Sequence, residues 1–170
     1  KIAALRYMQF YESLQNHYIF FGAWVFVFGA CIGSFLNVVI WRLPREESIV
    51  HVPSHCPKCN KDIRWFENIP ILSWLALRGR CSKCRAPISP RYIFVEALTG
   101  FLFIAVWFRA WQIWRVAPHR AWPPSMTFAY LFLVAALMAI SFIDIDHRIV
   151  PNEITYFGVA VGLVTAVIWP

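Results

Sequence analysis

The sequence predicts an all-α, polytopic membrane protein of about four transmembrane helices with a cytoplasmic zinc-binding loop. Three observations predict it. Of 170 residues, 59% are hydrophobic and 15% are charged, against roughly 45–50% and about 25% in soluble domains. The apolar residues gather into four runs, and four of the five cysteines stand as two Cys-x-x-Cys pairs between the first and second runs. Aromatics at 18% exclude a disordered chain, and five cysteines are too few for a disulfide-built secreted miniprotein.

Taken in order, residues 1–17 form a polar-aromatic N-terminal segment. Tyr18 to Trp41 carries no charge and exceeds the ~20 residues that a spanning helix needs. Residues 42–91 are the loop. A second span is expected from Tyr92 to Trp107, carrying Glu96 near its start, with Trp111 and Trp114 extending it into the interface. A third is expected from Thr127 to Ile143 and a fourth from Ile154 to Trp169, so residues 92–170 read as the start of a three-span membrane domain. Trp and Tyr near the run ends match the aromatic belts of bilayer interfaces.

The charges orient these spans. Sixteen Lys and Arg face nine Asp and Glu, a net +7. Ten of the cations lie between the first and second runs; the next loop holds three, Arg109, Arg115 and Arg120, and the last turn holds Arg148. Cytoplasmic loops collect Lys and Arg, so the long loop is expected in the cytoplasm, residues 1–17 and the Pro-rich stretch 118–124 outside, and the turn Asp144–Glu153 in the cytoplasm again. The basic balance is then a membrane signature; the partner it implies is a lipid bilayer, with no nucleic acid.

The loop holds Cys56 and Cys59 in one pair and Cys81 and Cys84 in the other, 21 residues apart, just beyond the usual zinc-ribbon window. Four thiolates complete a tetrahedral zinc ion and leave no open position, so the metal is expected to be structural. A reducing cytoplasm disfavours disulfides, and no thioredoxin-like setting supports a redox pair. Cys31 lies inside the first run and reads as a small buried apolar residue. Between the pairs, IPILSWLALRG is an apolar block fit to be a membrane-surface hairpin, a cover for the metal knuckle or the core of a small domain.

Asp144 follows directly on the third run, at a helix end where water reaches it, and Pro151 and Asn152 mark the start of the next helix. Ionisable residues at a membrane span are usually functional. Asp144 and Asp146 stand at i and i+2, which do not face each other on a helix. They are therefore not expected to share a proton as an aspartic dyad, and His147 reads as an interfacial polar residue.

GSFLNVVIWRLP (Gly33–Pro44), the two cysteine pairs, NIPILSWLALRGRC, ISPRYIFVEALTG (Ile88–Gly100) and IDIDHRIVPNEIT occur in that order. Together they resemble the type IV prepilin peptidases, over nearly the whole chain from Phe28 onward. The resemblance implies a bacterial inner-membrane aspartic peptidase that removes the basic leader of prepilins or pseudopilins after a Gly at the cytoplasmic face. It further implies N-methylation of the new terminus from S-adenosylmethionine. It assigns Asp144, seven residues before Pro151, as the first catalytic aspartate, Glu96 to methyl transfer, and Cys56, Cys59, Cys81 and Cys84 to zinc. The family's second aspartate lies in a Gly-x-Gly-Asp motif; none occurs here, and no Asp follows Asp146. The expectation is a fragment of a longer enzyme or a naturally shortened relative, with the missing Met favouring the fragment. A methyltransferase-type membrane domain without peptidase activity and a non-enzymatic zinc-stabilised module are the alternatives.

Overall fold

The computed structural model describes residues 2–50, 54–116 and 124–168, and the side chains of 18–50, 54–113 and 126–167. Its elements are α1 (Ile2–Arg42), a short α2 (Leu72–Ala76) inside the loop, α3 (Arg91–Val116), α4 (Pro124–His147) and α5 (Asn152–Ile168). No strand occurs among the described residues. The helical fold expected from the apolar runs is thus present.

Three helices are long and apolar enough to cross a bilayer: Tyr18–Arg45, Arg91–Ile113 and Met126–His147. The fourth expected span corresponds to the apolar helix α5, described over 17 residues. Among the described residues there are thus three helices of spanning length and this further apolar helix. The Pro-rich stretch up to Pro123 and Trp169 lie outside the described residues. At the other end, α1 begins at Ile2, so residues 2–17 are not a separate segment: they continue the first spanning helix.

Within the helix bundle, burial follows the seams between helices. Leu36, Val39 and Ile40 of α1, Val95 of α3 and Met138, Ala139 and Ile143 of α4 form one core, against which Ile154 of α5 also packs. The opposite faces carry exposed Phe20, Trp24, Phe101, Phe128, Leu137 and Leu163. A soluble bundle would turn polar residues outward there; these faces suit lipid.

The α1–α3 seam is close because glycine lines it. A Cβ on Gly33 would stand 2.7 Å from the Glu96 Cα, and one on Gly29 would stand 2.9 Å from the Gly100 Cα. Gly29 and Gly33 form the small-xxx-small spacing through which apolar helices approach in membranes. Two polar side chains in the seam are paired: Thr99 Oγ1 donates to the Val95 carbonyl at 2.7 Å, and Asn37 Nδ2 donates to the Tyr92 carbonyl at 3.1 Å; the Tyr18 hydroxyl and the Trp107 indole N–H are buried there without a partner. Towards the other end of this seam, Tyr18 stacks on Trp111 at 4.5 Å.

Gly33→Val is expected to push α1 and α3 apart and cost about 1–3 kcal/mol, the usual range for overpacking. A Cβ on Gly158 would meet nothing within 4 Å, so Gly158→Ala is expected to be neutral or stabilising by up to about 1 kcal/mol. Thermal unfolding in detergent distinguishes the two.

Candidate functional site

The two cysteine pairs are built to one design. In the first, the Cys56 N–H donates to the Lys61 carbonyl at 2.9 Å and the Asn60 N–H donates to the Cys56 carbonyl at 2.8 Å. In the second, Cys81 N–H to Ala86 and Arg85 N–H to Cys81 repeat the pattern at 2.8 and 3.1 Å. Asn60 and Arg85 both take positive φ, 51° and 59°, which reverses the chain after each pair. Bridges His55 to Asp62 and Arg80 to Pro87 close the two turns.

The turns bring the four thiols together. Cys56 Sγ lies 3.8 Å from Cys84 Sγ, Cys59 Sγ lies 3.9 Å from Cys81 Sγ, and all four sulfurs lie within 4.8 Å of one another. A tetrahedron with metal–sulfur bonds of about 2.3 Å has edges of about 3.8 Å, whereas a disulfide is about 2.05 Å. The donor set fits a metal ion. Backbone N–H groups favour the thiolates: those of Lys58 and Cys59 lower Cys56, and those of Cys84 and Lys83 bring Cys81 down to about 6. At Cys59 the Lys61 N–H pulls down, but burial and the neighbouring thiols outweigh it and push the group up to about 11.

Polar side chains staple the turns together. Lys61 Nζ donates to Glu67 Oε1 at 3.0 Å and to Ser82 Oγ at 2.6 Å. Hydrogen bonds from Ser82 and the Arg64 N–H, with Lys61, hold the Glu67 carboxyl down at about 2. A depressed carboxylate contributes above its ordinary pKa and fades only as pH falls towards the lowered one, so this staple persists to about pH 2.

The stretch between the turns is joined to the membrane helices. The Ile71 N–H donates to Glu96 Oε2 at 2.7 Å. Glu96 is buried, on the face of α3 that meets Gly33. Ile71 adopts φ 63°, ψ −53°, a conformation that costs a β-branched residue about 1–3 kcal/mol. Trp74 then packs over Gly79, whose φ of +64° and covered Cα leave no room for a side chain.

Asp144 and Asp146 lie in the last turn of α4, which ends where Arg148 takes φ 54° and its N–H returns to the Asp144 carbonyl at 2.8 Å. Asp146 pairs with Arg91, the first residue of α3, at 2.5 Å. Arg91 also donates to the Phe142 carbonyl at 3.4 Å and lies 5.1 Å over the Phe142 ring. Among the described residues, the exposed Asp144 carboxylate makes no hydrogen bond or ion pair. Two carboxylates two residues apart therefore have different surroundings, and no dyad forms between them. The Arg91–Asp146 pair also puts the aspartate turn at the same end of the bundle as the cysteine loop.

Family comparison accounts for both halves. The profile of the Bacterial Peptidase A24 N-terminal domain matches residues 27–110, and that of the Type IV leader peptidase family matches residues 131–170. The chain belongs to the type IV leader peptidase family. Prepilin leader peptidase/N-methyltransferase of Myxococcus xanthus (strain DK1622) is 46% identical, over 86% of this chain and 40% of its own length. The type 4 prepilin-like proteins leader peptide-processing enzyme of Escherichia coli O78:H11 is 40% identical, over 81% of this chain and 54% of its own. Prepilin leader peptidase/N-methyltransferase of Aeromonas hydrophila is 42% identical, over 77% and 50%. The chain spans about half the length of these relatives. No solved structure matches it. With three spanning helices and these relatives, this leader peptidase family member is a multi-pass membrane protein.

The structure thus brings the four cysteines together, buries Glu96 at the α1–α3 seam and leaves Asp144 open. Arg91 and Ile71 are the participants that no sequence motif singled out. Arg91, directly after Pro90 at the start of an apolar run, carried a usable signal as an interfacial cation near an acidic turn.

Glu96→Ala is expected to orphan the Ile71 N–H at a cost of about 1–3 kcal/mol. The local readout is hydrogen exchange at Ile71, which should quicken while exchange at Cys56 and Cys81 stays slow. Arg91→Gln removes a part-exposed pair worth at most about 1 kcal/mol and should leave thermal unfolding nearly unchanged.

Proposed function

We propose that the chain is the N-terminal part of a prepilin leader peptidase, with Asp144 the first carboxylate of its aspartic pair. The observation that carries this reading is the contrast at the end of α4: Asp146 is neutralised by Arg91, while Asp144 is exposed and unpartnered among the described residues. Asp144 also stands seven residues before the buried Pro151 that introduces α5, the spacing of the family's first catalytic aspartate. The chain spans about half the length of its relatives, and the second carboxylate of this reading belongs to sequence outside these 170 residues, since no Gly-x-Gly-Asp occurs within them.

In the chemistry such a pair performs, two carboxylates share one proton. The ionised one takes a proton from water as that water attacks the scissile carbonyl of the leader, and the other protonates the departing amine. Asp144 is suited to this because its carboxylate is open to water and to a second acid. The substrates in this reading are prepilins or pseudopilins, and the membrane is the bacterial inner membrane. Ten cations in the loop against three in the next support a cytoplasmic position for the loop and Asp144. Of the acidic residues available to a basic leader, Glu46, Glu47 and Asp62 are exposed, whereas Glu67 is consumed by Lys61 and Ser82.

The metal in this reading is zinc, held by Cys56, Cys59, Cys81 and Cys84. Four thiolates leave it no open position, so it would fix the loop and polarise no substrate. Methyl transfer from S-adenosylmethionine is the second activity. The family resemblance assigns Glu96 to it, and the Ile71 bond supports a role through positioning of the loop.

The decisive experiment is leader cleavage by the full-length protein in membranes. Asp144→Asn should lower the rate by roughly 10²–10⁴-fold, the range for loss of an acid–base group, while Asp146→Asn stays within a few-fold. Full activity of Asp144→Asn would overturn the assignment; methylation of a pre-cleaved pilin with no cleavage by the parent protein would favour the methyltransferase-type reading instead. Metal analysis should find one zinc per chain, lost in Cys81→Ser.

A further inference from the structure

The apolar block between the two cysteine turns is too deep to be a cap on the metal site. Ile71 bonds to Glu96 at 2.7 Å, and Glu96 is five residues along α3 from Arg91, about 7.5 Å at 1.5 Å per residue. On the other side of the seam, Glu96 meets Gly33, nine residues back from the end of α1 at Arg42, about 13 Å along that helix. The Glu96 side chain leans towards the start of α3, which shortens the depth without cancelling it. The chain therefore leaves the first cysteine turn, descends beside the spanning helices to Ile71, and climbs back to the second turn.

At that depth it presents apolar groups outward. Ile69, Leu72 and Leu75 are spaced by three residues, and their exposures are 38%, 65% and 53%. The inward side is occupied: Trp74 packs on Gly79 and its indole N–H donates to the Ile88 carbonyl at 3.3 Å. Just before this face in the chain, Trp65 is 82% exposed, and the Arg64 guanidinium lies 5.8 Å from the Phe66 ring. Residues 68–90 contain Arg78, Arg80, Lys83 and Arg85 and no Asp or Glu. An exposed apolar face, an exposed tryptophan and an excess of cations around a Glu67 already neutralised by Lys61 make the composition of a segment lying in an anionic bilayer interface.

We infer that residues 65–78 form a re-entrant anchor whose Ile69, Leu72 and Leu75 face enters the acyl region of an anionic phospholipid bilayer, with Arg64, Arg78 and Arg80 at the phosphates. The anchor depends on the chain spanning a membrane and not on the peptidase reading. It holds the metal site against the membrane surface, beside the aspartate turn.

The test is photocrosslinking of the full chain, zinc-loaded, in vesicles of phosphatidylethanolamine and phosphatidylglycerol. The photoreactive residue p-benzoyl-phenylalanine replaces Leu72 or Leu75, with Leu137 on the exposed face of α4 as the lipid-facing control and Lys83 on the second cysteine turn as the water-facing one. Retention of one zinc per chain shows that each variant keeps its loop. Phospholipid adducts at 72 and 75 in a yield matching position 137, with loss to background at 83, are expected. Background yield at 72 and 75 while 137 reacts overturns the anchor, as do adducts to a second copy of the chain or to an added pilin in place of lipid.

Discussion

The hydrogen bond from the Ile71 backbone to Glu96 joins two structures made for different solvents. One is a helix bundle whose outer faces suit lipid; the other is a polar loop folded around four thiols. The bond exists because Gly29 and Gly33 let α1 close on α3 and wall Glu96 into the seam. A larger residue at either glycine would separate the helices and admit lipid to a carboxyl group. The loop is thereby held at three levels. Its start is fastened where Arg42 donates to the Ser48 carbonyl at 3.0 Å, its middle at Glu96 and its end at the first turn of α3. The strained backbone at Ile71 is the local cost of that middle attachment.

The aspartate turn follows from a similar sharing of charge. Arg91 stands where the loop re-enters the membrane and serves as counter-ion, carbonyl donor and ring partner to the end of α4 at once. Neutralising Asp146 leaves a single free carboxylate at that end of α4. In the proposed reading, where Asp144 exchanges protons with water and a second acid, the lack of a fixed neighbour is an advantage. The same cation ties the turn to the loop, so the metal site and Asp144 share one end of the bundle.

What was legible in the sequence is what short-range spacing encodes. Apolar run lengths gave the spanning helices, cysteine spacing gave the paired turns, and 100° per residue separated Asp144 from Asp146. The polar opening of the chain read as a separate segment, yet residues 2–17 continue α1, since helix continuation does not require apolar side chains. The fourth apolar run was expected from Ile154, and α5 starts two residues earlier at Asn152, because a polar residue suited to open a helix carries no apolar mark. The first cysteine turn was readable at Asn60, a residue that tolerates positive φ; its twin uses Arg85, which does not advertise the turn. The Ile71–Glu96 bond joins residues 25 apart, and no local pattern announces it. The Gly29–Gly33 spacing was the one unread signal that pointed to that seam.

The loop also has an order in time. A chain synthesised from its N-terminus at about 5–20 residues per second releases Ile71 ahead of Glu96 by 25 residues, roughly one to five seconds. Cys84 emerges between them, so the thiol cluster is complete before its mooring in α3 exists. A hairpin that has bound a metal by then would wait with its apolar side uncovered until α3 arrives beside α1. Supply of metal during synthesis, rather than after it, would decide whether α3 meets a folded loop or a loose one.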